Sequence, residues 1–422
     1  MANKDALSQR AKWSGGQPIG YLMHMALARP RLISLAAGFV DQTSLPAEET
    51  KVAMESVLSD PSVAHAALQY GTTHGYAPLR EQILARLQAA DGSKASEMPP
   101  LERMILTAGS NQLLHLVADT LLNPGDIVLT AAPTYFVFLG VLANLGARAI
   151  GVASDENGLI PEALDTTLQQ LAKSGELSRV KAIYTVSYFD NPGSVSLSAA
   201  RRPQLVEIAQ RWSQSHKIYL IDDAAYRELR YAGEDIPSLL AADPSNETVI
   251  HTGTFSKSFA PGIRVGWGIV PAELVEPMVH QKGNIDFGSP NLSQHVMSKV
   301  LDLGLYDPHI SRLRGVYQTK LTAMVQAAEK YLSPIDGTHW QVPTGGLYVW
   351  LAVPESVDTG TDGALFQRAL DQGVIYVPGH YCYPSEGVPV PTNRIRLSFG
   401  VQSPEKIEQG MELLALAIRD VA

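Results

Sequence analysis

Cysteine is almost absent from this chain of 422 residues, in which Cys382 is the only one. A single cysteine cannot form an internal disulfide, which fits a reducing compartment. The chain also lacks a block rich in lysine and arginine, and its formal net charge is −9, so we expect no nucleic-acid partner. Its first residues lack the apolar core of a signal peptide, and no apolar run approaches the ~18 residues of a membrane span. We therefore predict a cytoplasmic protein with no membrane partner and no metal site.

Internal repeats, low-complexity segments and Pro/Ser-rich linkers are absent as well. Hydrophobic residues make up 45% of the chain and charged residues 18%, which is typical of an ordinary globular enzyme rather than a disordered or fibrous protein. The length is too great for one simple core, so we expect two to three domains packed against each other.

Short apolar runs alternate with helical patterns through the middle of the chain. We predict buried strands at Met104–Thr107, Ile127–Thr130, Ala182–Val186, Ile218–Ile221, Thr248–His251 and Val265–Val270. Near-continuous apolar strands separated by amphipathic helices favour an α/β fold with a mostly parallel sheet flanked by helices. A helix that begins near Asn111 is predicted to follow the first of these strands.

The pattern changes after about Ser289. Long helical patterns cover 292–303 and 312–331, and two runs that alternate like strands follow, Gly345–Leu351 and Arg394–Phe399. We predict a large domain over 46–290, a smaller α+β domain over 291–422, and an N-terminal segment over 1–45 that joins the small domain. The ligand should lie in the cleft between the two domains.

The segment Thr254–Arg264 is the most informative part of the sequence. Lys257 stands there among small hydroxyl and apolar residues, and Arg264 follows it by seven positions. A lysine near apolar groups can lose its proton and attack a carbonyl carbon, while an arginine with hydroxyls nearby can hold a phosphate. Together they suggest pyridoxal phosphate (PLP), an aldehyde cofactor that forms a Schiff base with lysine. Taken alone, an exposed loop explains the segment equally well.

Further polar residues follow the predicted strands, where a parallel sheet binds its ligand. The N–H groups of Gly109-Ser110-Asn111 could hold a phosphate at a helix start, although simple helix capping by Ser110 fits the pattern too. Tyr135 could stack on a pyridine ring or fill the core.

Asp223 ends a buried strand, where an acid needs a positive partner such as a protonated pyridine nitrogen. Its neighbour Asp222 should point the other way, to the surface or a helix cap. Tyr226 and Asn191 could hydrogen-bond the phenolic oxygen of the cofactor. Arg396 presents a planar fork suited to a substrate carboxylate, or else forms a surface ion pair.

The order of these motifs resembles that of the class I/II aminotransferases of PLP fold type I, from about Ile33 to the C-terminus. The motifs are Gly109-Ser110-Asn111, Pro133-Thr134-Tyr135, Asn191-Pro192, Asp223-x-x-Tyr226, Ser256-Lys257, Arg264 and Arg394-Ile395-Arg396-Leu397. The resemblance implies that Lys257 forms the Schiff base and moves the proton, that Asp223 pairs with the pyridine nitrogen, and that Tyr135 stacks on the ring. It assigns Asn191 and Tyr226 to the phenolic oxygen.

The resemblance also assigns the phosphate and the substrate. The phosphate ligands would be Ser110, Asn111, Ser256 and Arg264, with Thr254 a weaker candidate. Arg396 would bind the substrate α-carboxylate together with Asn191 and the backbone of Gly38. Tyr70 would reach the phosphate of the neighbouring subunit, which implies an obligate homodimer.

Two positions depart from the family pattern. The family usually reads Asn-Pro-x-Gly, whereas this chain reads Asn191-Pro192-Gly193-Ser194, so we expect a different turn after Pro192. Asn111 stands where the family often has glutamine, threonine or alanine.

The resemblance implies transfer of an amino group from an L-α-amino acid to an α-keto acid, with 2-oxoglutarate as the expected acceptor. A PLP-dependent C–S β-lyase on the same fold is the alternative, because both reactions begin in the same way. A PLP-binding transcription regulator would need a fused helix-turn-helix domain, and we expect none in the short stretch before the fold. The apolar segment Ile19–Met25 either covers the active site, favouring a large or apolar substrate side chain, or is a packing helix.

Overall fold

The computed structural model describes residues 6–15, 20–22, 25, 28–29, 31–94 and 97–422. Its strands are β1 (Ile33–Ser34), β2 (Met104–Thr107), β3 (Ile127–Ala132), β4 (Arg148–Asp155), β5 (Gly158–Leu159), β6 (Val180–Val186), β7 (Tyr219–Asp223), β8 (Val249–Thr254), β9 (Gly266–Ile269), β10 (His339–Trp340), β11 (Tyr348–Ala352), β12 (Val374–Ile375), β13 (Val377–Pro378), β14 (Glu386–Gly387) and β15 (Arg394–Ser398).

Helices lie between most of these strands. They are α1 (Gln9–Trp13), α2 (Ala47–Ser59), α3 (Pro61–Leu68), α4 (Ala77–Asp91), α5 (Ser110–Leu121), α6 (Phe136–Asn144), α7 (Pro161–Lys173), α8 (Arg201–Trp212), α9 (Ala272–Asp286), α10 (Asn291–Asp302), α11 (Tyr306–Tyr331), α12 (Ala364–Gln372) and α13 (Pro404–Val421).

The large sheet has the strand order β14-β4-β3-β6-β7-β8-β9-β2. Its neighbouring strands run parallel except around β9, which is antiparallel to both β8 and β2. The predicted α/β fold with a mostly parallel sheet is therefore confirmed. The sheet buries both faces, since every residue of β2, β3, β7 and β8 is buried, as continuous apolar strands require.

A second, antiparallel sheet of order β10-β11-β15-β13 carries the late strands. The N-terminal strand β1 pairs in parallel with β12, so Ile33 lies opposite Val374. Other late segments contact the large sheet instead: β14 adds to its edge, and the Asn291 side chain at the start of α10 donates to the carbonyls of Ala66 and Gln69. The domain bounds at 45/46 and 290/291 stay a prediction.

Parallel strands place their carboxyl ends at one edge of the sheet. The loops that follow β3, β6, β7 and β8 therefore start side by side, and each carries residues singled out in the sequence. Across the part of the chain that the structure covers, none of the helices has the length and apolar character needed to cross a membrane.

Candidate active site

One pocket at the carboxyl edge of the large sheet gathers most of the predicted site residues. It is lined by Gly109, Ser110, Asn111, Tyr135, Val186, Asn191, Asp223, Ala225, Tyr226, Thr254, Ser256, Lys257, Pro261 and Arg264. Gly38 and Arg396 lie beside it through direct contacts with Lys257 and Asn191. Tyr70 does not join this pocket within one chain, because it is 80% exposed and its ring packs against that of Phe287.

The start of α5 forms one end of the pocket. Gly109 takes a φ of +90°, a conformation open to glycine, and turns the chain from β2 into the helix at Ser110. The Arg264 guanidinium donates to the Ala108 carbonyl at 2.6 Å and the Pro261 carbonyl at 3.1 Å. A guanidinium beside a helix N-terminus is suited to binding an anion.

Close backbone contact holds this end together. A Cβ on Gly266, the first residue of β9, would lie 2.5 Å from the carbonyl carbon of Gly109 and 2.5 Å from the Ser110 nitrogen. Only glycine therefore allows β9 to pass behind the anion-binding end.

Thr254 fixes the turn that leads from β8 to the lysine. Its Oγ1 accepts the backbone N–H of Ser256 at 3.1 Å and lies 3.0 Å from Ser256 Oγ. Thr254 thus orients Ser256, which faces the pocket.

Lys257 donates from Nζ to the Gly38 carbonyl at 2.8 Å. Burial lowers the pKa of Lys257, and the charges of Arg396 and Arg264 lower it further, against an opposing effect of Tyr348. Among the described residues two lysines are buried, but Lys282 pairs with Asp286 at 2.9 Å and Lys320 with Asp41 at 2.5 Å. No carboxylate of the described residues pairs with Lys257, so no ion pair stabilises the charged form of its amine.

Asp223 ends β7 beneath the pocket. Its Oδ2 accepts the Tyr184 hydroxyl at 2.9 Å, and its Oδ1 accepts the Ala225 N–H at 3.2 Å. Burial raises the pKa of Asp223 to about 6, although both hydrogen bonds act to lower it. The carboxyl group is therefore ready to accept a cationic partner.

Asp222 points to the opposite face of the sheet from Asp223, but its predicted surface position is wrong. It is fully buried, where it accepts hydrogen bonds from the Ser187 hydroxyl and from the Leu239 N–H, and lies 2.8 Å from His251 Nδ1. Burial opposes ionisation, but His251, the charge of Arg202 and the Ser187 hydroxyl outweigh it and lower the pKa of Asp222. Leu239 immediately precedes the 3-10 helix Leu240–Ala242, so Asp222 accepts a backbone N–H at a helix start. This agrees in part with the predicted alternative of a helix cap.

Arg396 is buried beside the pocket, next to Asn191. Its Nη1 donates to Asn191 Oδ1 at 2.8 Å and its Nη2 to the Ala36 carbonyl at 2.8 Å. The guanidinium also stacks over the Tyr348 ring, 4.5 Å from its centre. The alternative of a surface ion pair is wrong, because Arg396 is 1% exposed and pairs with no carboxylate of the described residues.

Tyr348 is a site neighbour that the sequence analysis missed. Its hydroxyl lies 3.2 Å from that of Tyr226, 3.5 Å from Asn191 Nδ2, and next to Gly38, where an added Cβ would come within 2.8 Å. Tyr348 lies on β11, two residues from Trp350, which pairs with Arg396, and the sequence carries no local sign of this pairing. Burial raises the pKa of Tyr226 well above its usual value, so its hydroxyl stays a donor.

The turn after Asn191 has a left-handed residue at Ser194, where the family pattern has glycine. Ser194, at the position of the family's glycine, takes a φ of +54°, whereas Gly193 has no such conformation. The Ser194 hydroxyl donates to the Tyr348 carbonyl at 2.8 Å. Elsewhere in the pocket lining, the Tyr135 hydroxyl donates to Asn111 Oδ1 at 3.3 Å.

A half-buried lysine that pairs with no carboxylate of the described residues, an acid at the end of a buried strand and an anion-binding helix start line one pocket of an α/β sheet. Together they define a PLP enzyme of fold type I. The sequence profile of the family described as Aminotransferase class I and II matches residues 30–414. The chain belongs to this family, whose cofactor is pyridoxal phosphate, and it is an aminotransferase.

Known proteins resemble the chain over nearly its full length. It is 33% identical to aromatic-amino-acid aminotransferase 1 of Thermococcus litoralis over 391 residues, which cover 92% of this chain and 88% of that protein. A kynurenine aminotransferase of Pyrococcus horikoshii, solved with PMP, superposes with a TM-score of 0.90 at 31% identity and covers 99% of this chain and 98% of its own. The α-aminoadipate aminotransferase LysN of Thermus thermophilus, complexed with N-(5'-phosphopyridoxyl)-L-leucine, gives 0.84 at 28% identity, with coverage of 100% and 99%.

Proposed function

We propose that this aminotransferase transfers the amino group of an L-α-amino acid to an α-keto acid, with 2-oxoglutarate as the acceptor. One observation carries the proposal. The loop of Ala36 and Gly38 gives one carbonyl to the Arg396 guanidinium and another to the Lys257 amine, at 2.8 Å each. A carboxylate on Arg396 would therefore sit beside the amine that must act on the adjacent carbon.

The residues of the pocket fit pyridoxal phosphate. The positive start of α5, with Ser110, Asn111, Ser256 and Arg264, suits its phosphate, while Asp223 suits its ring nitrogen. Tyr135 would stack on the ring, and Asn191 and Tyr226 would contact its phenolic oxygen. When bound, PLP supplies an aldehyde carbon and a ring that accepts electrons from the substrate α-carbon.

Lys257 is the proposed acid and base. Burial lowers the pKa of its amine, which favours the neutral form of Nζ that can take a proton from the substrate α-carbon. The same Nζ atom could then deliver the proton to the cofactor carbon on the other side of the substrate nitrogen. No other lysine of the described residues lines the pocket.

Arg396 is proposed to bind the substrate α-carboxylate. Two of its five N–H groups serve Asn191 and Ala36, which hold the guanidinium in place, and its Nε has no partner among the described residues. Enough donors remain for a carboxylate without breaking either anchor.

A large or apolar substrate side chain is supported by the relatives, whose names refer to aromatic amino acids, kynurenine and α-aminoadipate. In the segment Ile19–Met25, Ile19, Met23 and His24 lie outside the described residues. Leu22 is buried and Tyr21 is exposed. The covering role of this segment stays a prediction.

The homodimer and the cytoplasmic location are proposals of the same kind. Tyr70, Leu68, Ile285 and Phe287 are exposed large hydrophobic residues, and the Tyr70 and Phe287 rings touch edge to face. Tyr70 would then reach the cofactor phosphate of a second subunit. The C–S β-lyase is not favoured, since the named relatives are aminotransferases.

The experiment that tests the function is a half-reaction followed by absorbance. The holoenzyme is mixed with single amino acids, and loss of the lysine-bound cofactor band with gain of the pyridoxamine form marks transfer. Subsequent addition of 2-oxoglutarate should restore the band of the lysine-bound cofactor. If pyruvate and ammonia formed from cysteine conjugates without any keto acid, the enzyme would be a β-lyase.

Replacement of Arg396 by lysine tests the substrate contact. Lysine keeps the charge but loses the planar pair of donors, so amino-acid affinity should fall about tenfold or more while the spectrum of the bound cofactor is unchanged. Titration of the half-reaction with amino acid measures this. Unchanged affinity would remove Arg396 from the substrate site.

A further inference from the structure

We propose that Tyr184 is the positioning residue of Asp223, holding its carboxylate ionised and oriented toward the cofactor ring nitrogen. This inference rests on the proposed ring contact of Asp223. Tyr184 lies on β6, next to β7, and its hydroxyl reaches Asp223 Oδ2 at 2.9 Å. It lies outside the pocket lining and so acts through Asp223 alone.

The direction of this hydrogen bond is fixed by burial. Tyr184 is fully buried, and burial raises its pKa well above the usual value, so the hydroxyl keeps its proton and donates it to the carboxylate. A donor to the charged form favours that form, and Tyr184 accordingly lowers the pKa of Asp223 against the effect of burial.

The orientation of Asp223 is fixed on both oxygens. Tyr184 holds Oδ2, the Ala225 N–H holds Oδ1 at 3.2 Å, and each oxygen keeps a free lone pair. Tyr184 is itself held by packing, since its ring centre lies 4.3 Å from that of Phe138. A phenylalanine at position 184 would keep this packing and remove only the donor.

The other groups around Asp223 cannot replace Tyr184. Asp222 precedes it on β7 and raises its pKa, whereas His251 on β8 lowers it from the opposite face, where it pairs with Asp222. Tyr135 also faces Asp223, but its hydroxyl donates to Asn111. Tyr184 is therefore the side chain that supplies Asp223 with a direct hydrogen bond.

The test compares two ligands on the full chain stripped of cofactor. One is PLP, and the other is the same phosphate ester with a carbon in place of the ring nitrogen. Tyr184→Phe should weaken PLP binding about tenfold and leave the carbon analogue nearly unchanged, because only PLP uses the carboxylate. Tyr219→Phe is the matched control: it is a buried tyrosine of β7 whose hydroxyl donates to Glu273 at 3.0 Å, away from the site.

The pH dependence of PLP binding by the parent and by Tyr184→Phe gives a second test. Loss of the donor raises the pKa of Asp223 above its value of about 6, so the variant is protonated over a pH range in which the parent protein is still ionised. The difference in PLP affinity between the parent and Tyr184→Phe should widen as the pH falls from about 8 toward 6.5. It should close again at a pH below the Asp223 pKa of both proteins. A difference independent of pH would contradict the proposal.

Two outcomes separate the positioning role of Tyr184 from the ring contact of Asp223. If Tyr184→Phe binds PLP as tightly as the parent, or loses both ligands equally, the positioning role is overturned while Asp223 keeps its own. If Asp223→Asn still prefers PLP over the carbon analogue as strongly as the parent does, the ring contact itself is wrong.

Discussion

Single residues decide the chemistry of the site, and Lys257 is the first to test. Borohydride reduction of the holoenzyme followed by peptide mapping should label Lys257 and leave Lys282 and Lys320 unlabelled, since both of these pair with a carboxylate. Lys257→Ala should still bind PLP but lose turnover. A label on another lysine would overturn the assignment.

Ser194 offers a test of the displaced glycine. A non-glycine residue at a φ of +54° is strained, and the Ser194 hydroxyl compensates by its bond to the Tyr348 carbonyl. Ser194→Ala should be less stable than Ser194→Gly by about 1 kcal/mol, because both lose the bond but only alanine keeps the strain. Thermal melting at fixed protein concentration measures the difference. Equal stability would mean that the backbone relaxes when the hydroxyl is lost.

Sequence reasoning foresaw the residues that carry a local pattern and missed those that depend on the fold. Lys257 and Arg264 stand in one short segment, and Asp223 ends an apolar run. Tyr184 contacts Asp223 across 39 residues and Tyr348 contacts Asn191 across 157 residues, with no local sign. Asp222 was misplaced because its partner, His251, lies on the next strand.

Among the elements, β2 was predicted to the residue and β4 was missed. Met104–Thr107 is a continuous apolar run between polar flanks, whereas Arg148–Asp155 is rich in small residues and reads weakly as a strand. The antiparallel direction of β9 was not predicted, since strand direction depends on the path of the chain and not on the pattern.

The contact between β9 and the start of α5 predicts the effect of one methyl group. Gly266→Ala would push on the Gly109 and Ser110 backbone at 2.5 Å, so it should weaken PLP binding at least tenfold. Gly262→Ala is the control in the turn that precedes β9, because its Cβ would meet nothing within 4 Å. Equilibrium dialysis of both variants checks this, and equal affinities would show that the contact is not needed for the phosphate.

At the scale of the whole molecule, the shared active site is the main prediction. Tyr70→Phe should weaken PLP retention by roughly 1.5–3 kcal/mol, the contribution of one hydrogen bond to a charged group. The fold of each chain should be unaffected, because Tyr70 is exposed within one chain. Cofactor release after dilution measures PLP retention, and analytical ultracentrifugation measures the oligomeric state. A fully active monomer at nanomolar concentration would contradict the homodimer.

The setting of Arg396 has a consequence for evolution and engineering. It is a buried cation whose two anchors, Asn191 and Ala36, are neutral, so its charge is not compensated by any carboxylate of the described residues. Uncompensated buried charge opposes folding. Selection for heat resistance alone would thus tend to discard this arginine, and a library screened only for thermal tolerance should drift toward neutral residues at position 396. Only a screen that also demands turnover should retain it.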